Sequence, residues 1–175
     1  MEHFKEKLTR VKAFVFDVDG VFTDGGITPL ADGDFHRTYF ARDGYAVTYA
    51  ISEGYKIYIV TGGRGATLRH RFEMLRITGL RDNVADKSAV LAELAETEGL
   101  DLADVVYMGD DIPDLGAMGM VGIPICPADS CHEVLAAASY VSQYAGGKGC
   151  VRDIIEQVLR AQGRWLRHTV GMHTV

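Results

Sequence analysis

Two aspartates stand one residue apart at Asp17 and Asp19, and a second acidic group runs Asp110, Asp111 and Asp114. Between them in the chain come Thr61, with Gly62 and Gly63 after it, and then Lys87. An acid after an apolar run is often only a helix cap or a turn residue. Here several such places follow apolar runs of one chain, and together they make a definite chemistry. Two carboxylates held within a few ångströms repel each other and need a cation. Hard oxygen donors suit Mg2+, which takes one or two carboxylates and leaves room for water and a substrate phosphate. Asp17 is then a nucleophile toward phosphorus that forms an aspartyl phosphate. Asp19 is spaced to protonate the leaving alcohol and afterwards to activate water. Thr61 offers a hydroxyl and a nearby N–H to a phosphoryl oxygen, and Gly62 and Gly63 let the backbone come close. Lys87 offsets the charge of nucleophile and phosphate together. This is phosphoryl transfer by positioning and charge neutralisation.

Those residues need elements to hold them at one place. Short apolar runs alternate with helix-period stretches along the chain. The runs read as strands at 11–18, 56–60, 80–84, 105–108, 122–126 and 140–141. Helices are expected at 44–52, 66–76, 88–98, 112–118, 130–138 and 150–162. Residues 27–30 and 35–40 flank Ala31-Asp32-Gly33-Asp34 and read as a β-hairpin, the whole insertion spanning about 21–40. Strands alternating with helices imply parallel β-α-β units. Their apolar character throughout implies a sheet covered on both faces. The expected fold is α/β: a Rossmann-like three-layer α/β/α sandwich with a central parallel sheet, an inserted hairpin and a closing C-terminal helix and tail at about 150–175. In such sheets ligands bind beyond the carboxyl ends of the strands. Asp17, Thr61 and Asp110 belong there, and Lys87 opens a following helix. Asp43, just before the expected helix at 44–52, reads as its N-cap.

The ordered set Asp17-Val18-Asp19, Thr61, Lys87 and Asp110-Asp111 resembles the haloacid dehalogenase superfamily of phosphatases. The resemblance implies Asp17 as nucleophile and Asp19 as general acid/base. It implies Mg2+ held by Asp17, the Asp19 carbonyl and Asp110, with Asp111 and Asp114 behind the metal's waters. Many members carry a cap domain after the first motif or between the Thr and the Lys. Here neither interval is long enough for one, so cover is expected from a neighbouring subunit. The stretches Asp17–Gly26, Ala41–Tyr45, Gly109–Asp114 and Ala145–Arg152 are similar to the 3-deoxy-D-manno-octulosonate 8-phosphate phosphatases. That resemblance implies a sugar-acid phosphate substrate and a homotetramer whose hairpins help cap adjoining sites. Many relatives follow Thr-Gly with an arginine and a lysine, whereas this chain has Gly63-Arg64. Phosphatases of nine-carbon sugar acids are close kin, some with an acid at position 63, so an eight-carbon or a nine-carbon substrate both stay open. Gly62, Gly63, Arg64 and Lys148 are the expected substrate contacts.

Composition narrows the alternatives. The 175 residues suit a single domain. A net charge of -6 disfavours a nucleic-acid partner. No run approaches the ~20 apolar residues of a membrane span, and no secretory signal is legible, so a cytoplasmic setting is expected. Three cysteines without a CxxC pair read as free thiols. Residues 148–175 carry five Lys/Arg against two acids, a basic end on an acidic chain. A signalling receiver domain also uses Asp, Thr and Lys at a sheet rim. It carries its phosphoacceptor on a later strand, after an acidic pair, and the order here is the reverse. A non-catalytic assembly domain would have no reason to keep all of Asp17, Asp19, Thr61, Lys87 and Asp110.

Overall fold

A computed structural model describes residues 4–168. After a short helix α1 (Phe4–Lys7) and a 3-10 turn, the chain enters β1 (Ala13–Phe16). The hairpin strands β2 (Thr28–Pro29) and β3 (Phe35–His36) follow, and then α2 (Ala41–Ser52) and β4 (Lys56–Val60). Next come α3 (Ala66–Met74), β5 (Gly79–Arg81), α4 (Lys87–Glu98) and β6 (Val105–Met108). The chain closes with α5 (Leu115–Met118), β7 (Ile123–Cys126), α6 (His132–Ala137), β8 (Tyr140–Val141) and α7 (Cys150–Ala161). Six strands form one sheet in the order β5-β4-β1-β6-β7-β8, and every pairing in it is parallel. The hairpin is a separate antiparallel pair.

Strand residues alternate between two cores. Phe14, Phe16, Ile57, Ile59, Val106 and Met108 pack with α2, α3 and α7 on one face. Ala13, Val15, Tyr58, Val60, Val105 and Tyr107 pack with α4, α5 and α6 on the other. Both sets are buried, so the strands show no polar face. The three-layer α/β/α sandwich with a parallel sheet and inserted hairpin is therefore the observed fold.

Element ends differ from expectation in ways that have causes. The first strand is 13–16 rather than 11–18, because Val18 already accepts the turn N–H groups of Val21, Phe22 and Thr23. The hairpin ladder holds only two residues a side. Helix α2 begins three residues early, so Asp43 lies inside its first turn and cannot be its N-cap. Instead Asp43 caps a different helix. Its Oδ1 accepts the Arg152 backbone N–H at the start of α7 (2.8 Å). The local N-cap of α7 is Gly149, which has no side chain to offer. In the same way Asp34 of the hairpin accepts the Thr67 N–H (2.9 Å) at the start of α3, whose own N-cap is Gly65. Long-range caps of this kind tie hairpin and terminal helix to the sheet layers.

Asp43 yields a prediction. It is fully buried and its Oδ2 has no partner. Burial pushes its carboxyl up from 3.8 to about 6, against the pull of the Arg152 and Gly149 N–H groups. A carboxyl raised in the folded state favours folding below its unfolded value, and that stability is lost as pH rises through the folded value. Asp43→Asn is thus expected to raise the melting temperature at pH 8, by roughly 1–3 kcal/mol of stability, with the gain fading between pH 6 and pH 4. Thermal melts of both proteins across that range check this, and a pH-independent difference would contradict it.

Candidate active site

The sheet register brings the acidic residues together. Phe16 pairs with Met108 on one side and with Ile59 on the other. Asp17 follows Phe16 directly and donates its N–H to the Met108 carbonyl (3.0 Å). Asp110 stands two residues beyond Met108 and Thr61 two beyond Ile59, so all three emerge at one rim. Lys87 is the first residue of α4, fixed there because the Asp86 side chain accepts the N–H groups of Ser88 and Ala89. Gly20 turns the chain after β1 at φ +86°, and a Cβ there would collide with the Asp110 carboxylate. The turn therefore needs glycine both for its backbone and for its space.

Asp17, Asp110 and Asp114 place carboxylate oxygens within 4.8 Å of one another. Lys87 Nζ lies 2.8 Å from Asp17 Oδ2 and 2.7 Å from Asp114 Oδ1. Asp114 is fully committed to its protein neighbours. Its Oδ1 also accepts the Tyr107 hydroxyl (2.7 Å), and its Oδ2 accepts the N–H groups of Asp110 (3.1 Å) and Asp111 (3.3 Å). Asp114 thus orients Lys87 and the Asp110-Asp111 turn, and it leaves Asp17 and Asp110 as the carboxylates free to meet a ligand. Asp17 Oδ1 is buried with no hydrogen-bond partner.

The electrostatics point the same way. Burial, then repulsion from Asp114, pushes Asp17 up to about 6, although Lys87 draws it down. Burial and the charges of Asp17 and Asp114 push Asp110 up to about 7. Burial works against the charge of Lys87, but Asp17 and Asp114 prevail and its pKa is raised. One ammonium for three close carboxylates leaves excess negative charge in a desolvated place. An orphaned carboxylate oxygen, two like-charged neighbours and an all-oxygen donor set fit a hard divalent cation such as Mg2+. Asp17 and Asp110 would hold it.

Asp19 lines the same cleft as Asp17 but has a partner of its own. Arg37, from the stretch leaving β3, donates from Nε to its Oδ1 (2.8 Å) and from Nη2 to its Oδ2 (3.0 Å). The Asp19 carboxylate is outside the close acidic cluster, so any ligation by this residue would come from its backbone carbonyl. Thr61 is buried, and its Oγ1 accepts the Gly63 N–H (3.0 Å). Accepting there leaves the hydroxyl hydrogen free to donate. The Thr61 N–H itself is taken by the Arg81 carbonyl (2.9 Å) and the Gly63 N–H by Thr61 Oγ1, so neither is left over for a phosphoryl oxygen.

A cleft of about 430 Å³ joins Asp17, Asp19, Thr61, Gly62, Gly63, Lys87, Asp110, Asp111 and Asp114. Two expected substrate contacts do not line it. Arg64 lines a cleft between the hairpin turn and α3. Lys148 is exposed, 3.8 Å from Asp24, on a third cleft beside α7. Two residues that the sequence reading missed do reach the site: Tyr107, behind Asp114, and Arg37. Tyr107 lies inside the apolar run of β6, where nothing in the sequence sets it apart from core. Arg37 belongs to no motif. No signal in the sequence marks it, since it lies just beyond β3 and its partner is distant in the chain.

No protein-family model matches the chain. It is 32% identical over 158 residues to the 3-deoxy-D-manno-octulosonate 8-phosphate phosphatase of Escherichia coli K12, covering 90% of this chain and 84% of that one. The crystal structure of the 3-deoxy-D-manno-octulosonate 8-phosphate phosphatase from Moraxella catarrhalis, in complex with magnesium ion, phosphate ion and KDO, superposes with a TM-score of 0.89. It is 30% identical, and the match covers 93% of each chain. A cobalt-bound phosphatase of the same description from Haemophilus influenzae gives 0.86 at 30% identity, over 90% of this chain and 92% of that one. A structure from Legionella pneumophila described as a haloacid dehalogenase superfamily hydrolase of subfamily III A gives 0.88 at 30% identity, over 92% and 88%. With this fold, this rim of carboxylates and relatives matched over nearly their whole length, the chain belongs to the 3-deoxy-D-manno-octulosonate 8-phosphate phosphatase family of the haloacid dehalogenase superfamily, without a cap domain.

Proposed function

We propose that this chain, acting as one catalytic domain, hydrolyses 3-deoxy-D-manno-octulosonate 8-phosphate to the free sugar acid and inorganic phosphate. The observation that carries the reading is the Asp17 carboxylate, buried, gripped by Lys87 on one oxygen and unpartnered on the other. Asp17 attacks phosphorus, the bond from phosphorus to the sugar oxygen breaks, and Asp19 gives its proton to that oxygen. Water then attacks the aspartyl phosphate, Asp19 takes the water's proton, and Asp17 leaves as carboxylate. Thr61, with Gly62 and Gly63, orients the phosphoryl oxygens. Lys87, buried beside Asp17 at the floor of the cleft, stabilises the charge on nucleophile and phosphate. Mg2+, held by Asp17, the Asp19 carbonyl and Asp110 with Asp111 and Asp114 behind it, would supply further neutralisation of phosphate and nucleophile. The Moraxella relative bound to magnesium, phosphate and KDO supports both the metal and the substrate class. We place the reaction in lipopolysaccharide precursor synthesis in the cytoplasm. Among the described residues, no helix is long and apolar enough to cross a membrane.

A phosphate-release assay with Mg2+ tests the reading. It compares the eight-carbon substrate with nine-carbon sugar-acid 9-phosphates and simple sugar phosphates. The eight-carbon ester is expected to win on kcat/KM, and a clear preference for a nine-carbon ester would overturn the specificity.

The partners proposed are three further copies of the chain. The site cleft is open, and catalysis gains from excluding water. The hairpin that would supply cover carries Ile27 and Leu30, 49% and 41% exposed. Arg64 and Lys148 line other clefts of their own chain, and we place any part they take in substrate binding at a neighbouring subunit's site. The end of the C-terminal tail lies outside the described residues from position 169. The double change Ile27→Asp with Leu30→Asp is expected to shift the sedimentation profile from tetramer to smaller species. It should also lower kcat/KM about tenfold or more, as cover is lost. An unchanged tetramer would contradict the role given to the hairpin.

A further inference from the structure

The hairpin has a second task, in the site of its own chain. The Arg37 side chain is only 3% exposed, while its partner Asp19 is 29% exposed. Burying a guanidinium is unfavourable unless its donors are well matched. An apolar residue at the base of a two-residue hairpin would pack with no such penalty. What Arg37 gains is a two-point grip, Nε to Oδ1 and Nη2 to Oδ2, which fixes the plane and rotamer of one carboxylate. Among the described residues, the other side-chain hydrogen bond to the Asp19 carboxylate is a long one, from the Thr23 hydroxyl at 3.5 Å. A carboxylate on a turn and partly in water otherwise spreads over several staggered rotamers.

The guanidinium itself has two further contacts. Its Nη1 donates to the Arg64 carbonyl at 3.4 Å. Its carbon lies 5.6 Å from the centre of the Phe35 ring. Position 63 leaves the space it needs, since a Cβ on Gly63 would stand 3.0 Å from Arg37 Nη2 and 2.9 Å from Asp19 Oδ2. Gly63 thus makes room for this ion pair as well as for a phosphate. The hairpin strand just before Arg37 is pinned to the start of α3, where Asp34 caps that helix and the Thr67 hydroxyl donates to the Phe35 carbonyl (3.1 Å).

We infer that Arg37 is a positioning residue for Asp19, by which the hairpin of each chain sets the direction of its own acid/base group. The inference rests on the phosphatase reading, and in particular on Asp19 as the group that protonates the leaving oxygen. An arginine that aims a general acid matters most where the leaving group needs a proton. An alkyl phosphate such as the sugar-acid ester does, whereas p-nitrophenyl phosphate releases a stable anion and does not.

The test is kcat/KM on both esters for wild type, Arg37→Met and Arg37→Lys, with Mg2+ present. This parameter reports steps up to phosphoryl transfer onto Asp17, so the later water step does not enter. Arg37→Met is expected to lose about 10–100-fold on the sugar-acid phosphate, within the range of a misplaced general acid. On p-nitrophenyl phosphate it should stay within about threefold of wild type, since that leaving group draws little on acid catalysis. Arg37→Lys, which keeps the charge but not the fork, should fall between. In an Asp19→Asn background, Arg37→Met should add no further loss on the sugar ester. Equal losses on both esters would assign Arg37 to the fold alone, and no loss on either would remove its role; each result overturns the inference. A wild type that hydrolyses neither ester would instead reject the phosphatase reading itself.

Discussion

Asp17→Asn is expected to lower phosphate release by at least about 10⁴-fold, the scale on which single members of a nucleophilic site act. The fold should survive the change. The Asn Oδ1 keeps an acceptor for Lys87, and one of three mutually repelling carboxylates loses its charge. In metal-free buffer the melting temperature should therefore hold or rise. With Mg2+ added, the variant should gain less stability than wild type, because a ligand stabilises the folded chain by its affinity for it. Activity assays paired with melts in EDTA and in Mg2+ check both parts. Substantial hydrolysis by the variant would remove the aspartyl-phosphate mechanism. Lost activity together with lost fold in EDTA would show that Asp17 is chiefly structural.

Lys87→Met should damage stability and activity together. Lys87 is buried and is the ammonium that both Asp17 and Asp114 contact. Removing one partner of a buried ion pair costs about 3–5 kcal/mol, because the other is left uncompensated. Here two carboxylates would be stranded, and Asp114 holds the turn that carries Asp110 and Asp111. The variant is expected to melt well below wild type in EDTA and to recover part of the difference in Mg2+. Its kcat should fall by about 10³-fold, since the charge it places beside the transferring phosphate is gone. A variant equally stable in EDTA would contradict the charge balance described for the site.

These effects trace to residues that could be read from the chain directly. Strands end in Asp17, Thr61 and Gly109-Asp110, and a lysine opens a helix, so the parallel sheet and the rim they share were legible together. The alternation of apolar runs with helix-period stretches was enough for the layers. What was not legible depended on contacts far apart in sequence. Asp43 looks like the cap of α2 but caps α7, because helix α2 starts earlier than its first periodic residue suggests. Arg37 is one cation in a short polar hairpin, and only the fold shows that its partner is Asp19, 18 residues away. Arg64 and Lys148 are cations near the right motifs, yet each lines another cleft.

The same contacts revise how an acidic chain handles an anionic substrate. The net charge of -6 is concentrated in part at the site, where Asp17, Asp110 and Asp114 converge on a single ammonium. A divalent cation there inverts the local field. Arg37 adds a second buried cation, which answers Asp19.

The central claim is that phosphate passes through Asp17. It is tested most directly by rapid-quench of Asp19→Asn with p-nitrophenyl phosphate and Mg2+, where the leaving group needs little help but the water step lacks its base. Borohydride reduction of the quenched protein converts an aspartyl phosphate to homoserine, which mass spectrometry locates in the sequence. Homoserine at position 17, in amounts that follow the burst of nitrophenol, is the result expected. A nitrophenol burst with no homoserine at 17, or with the modification on another residue, would contradict it.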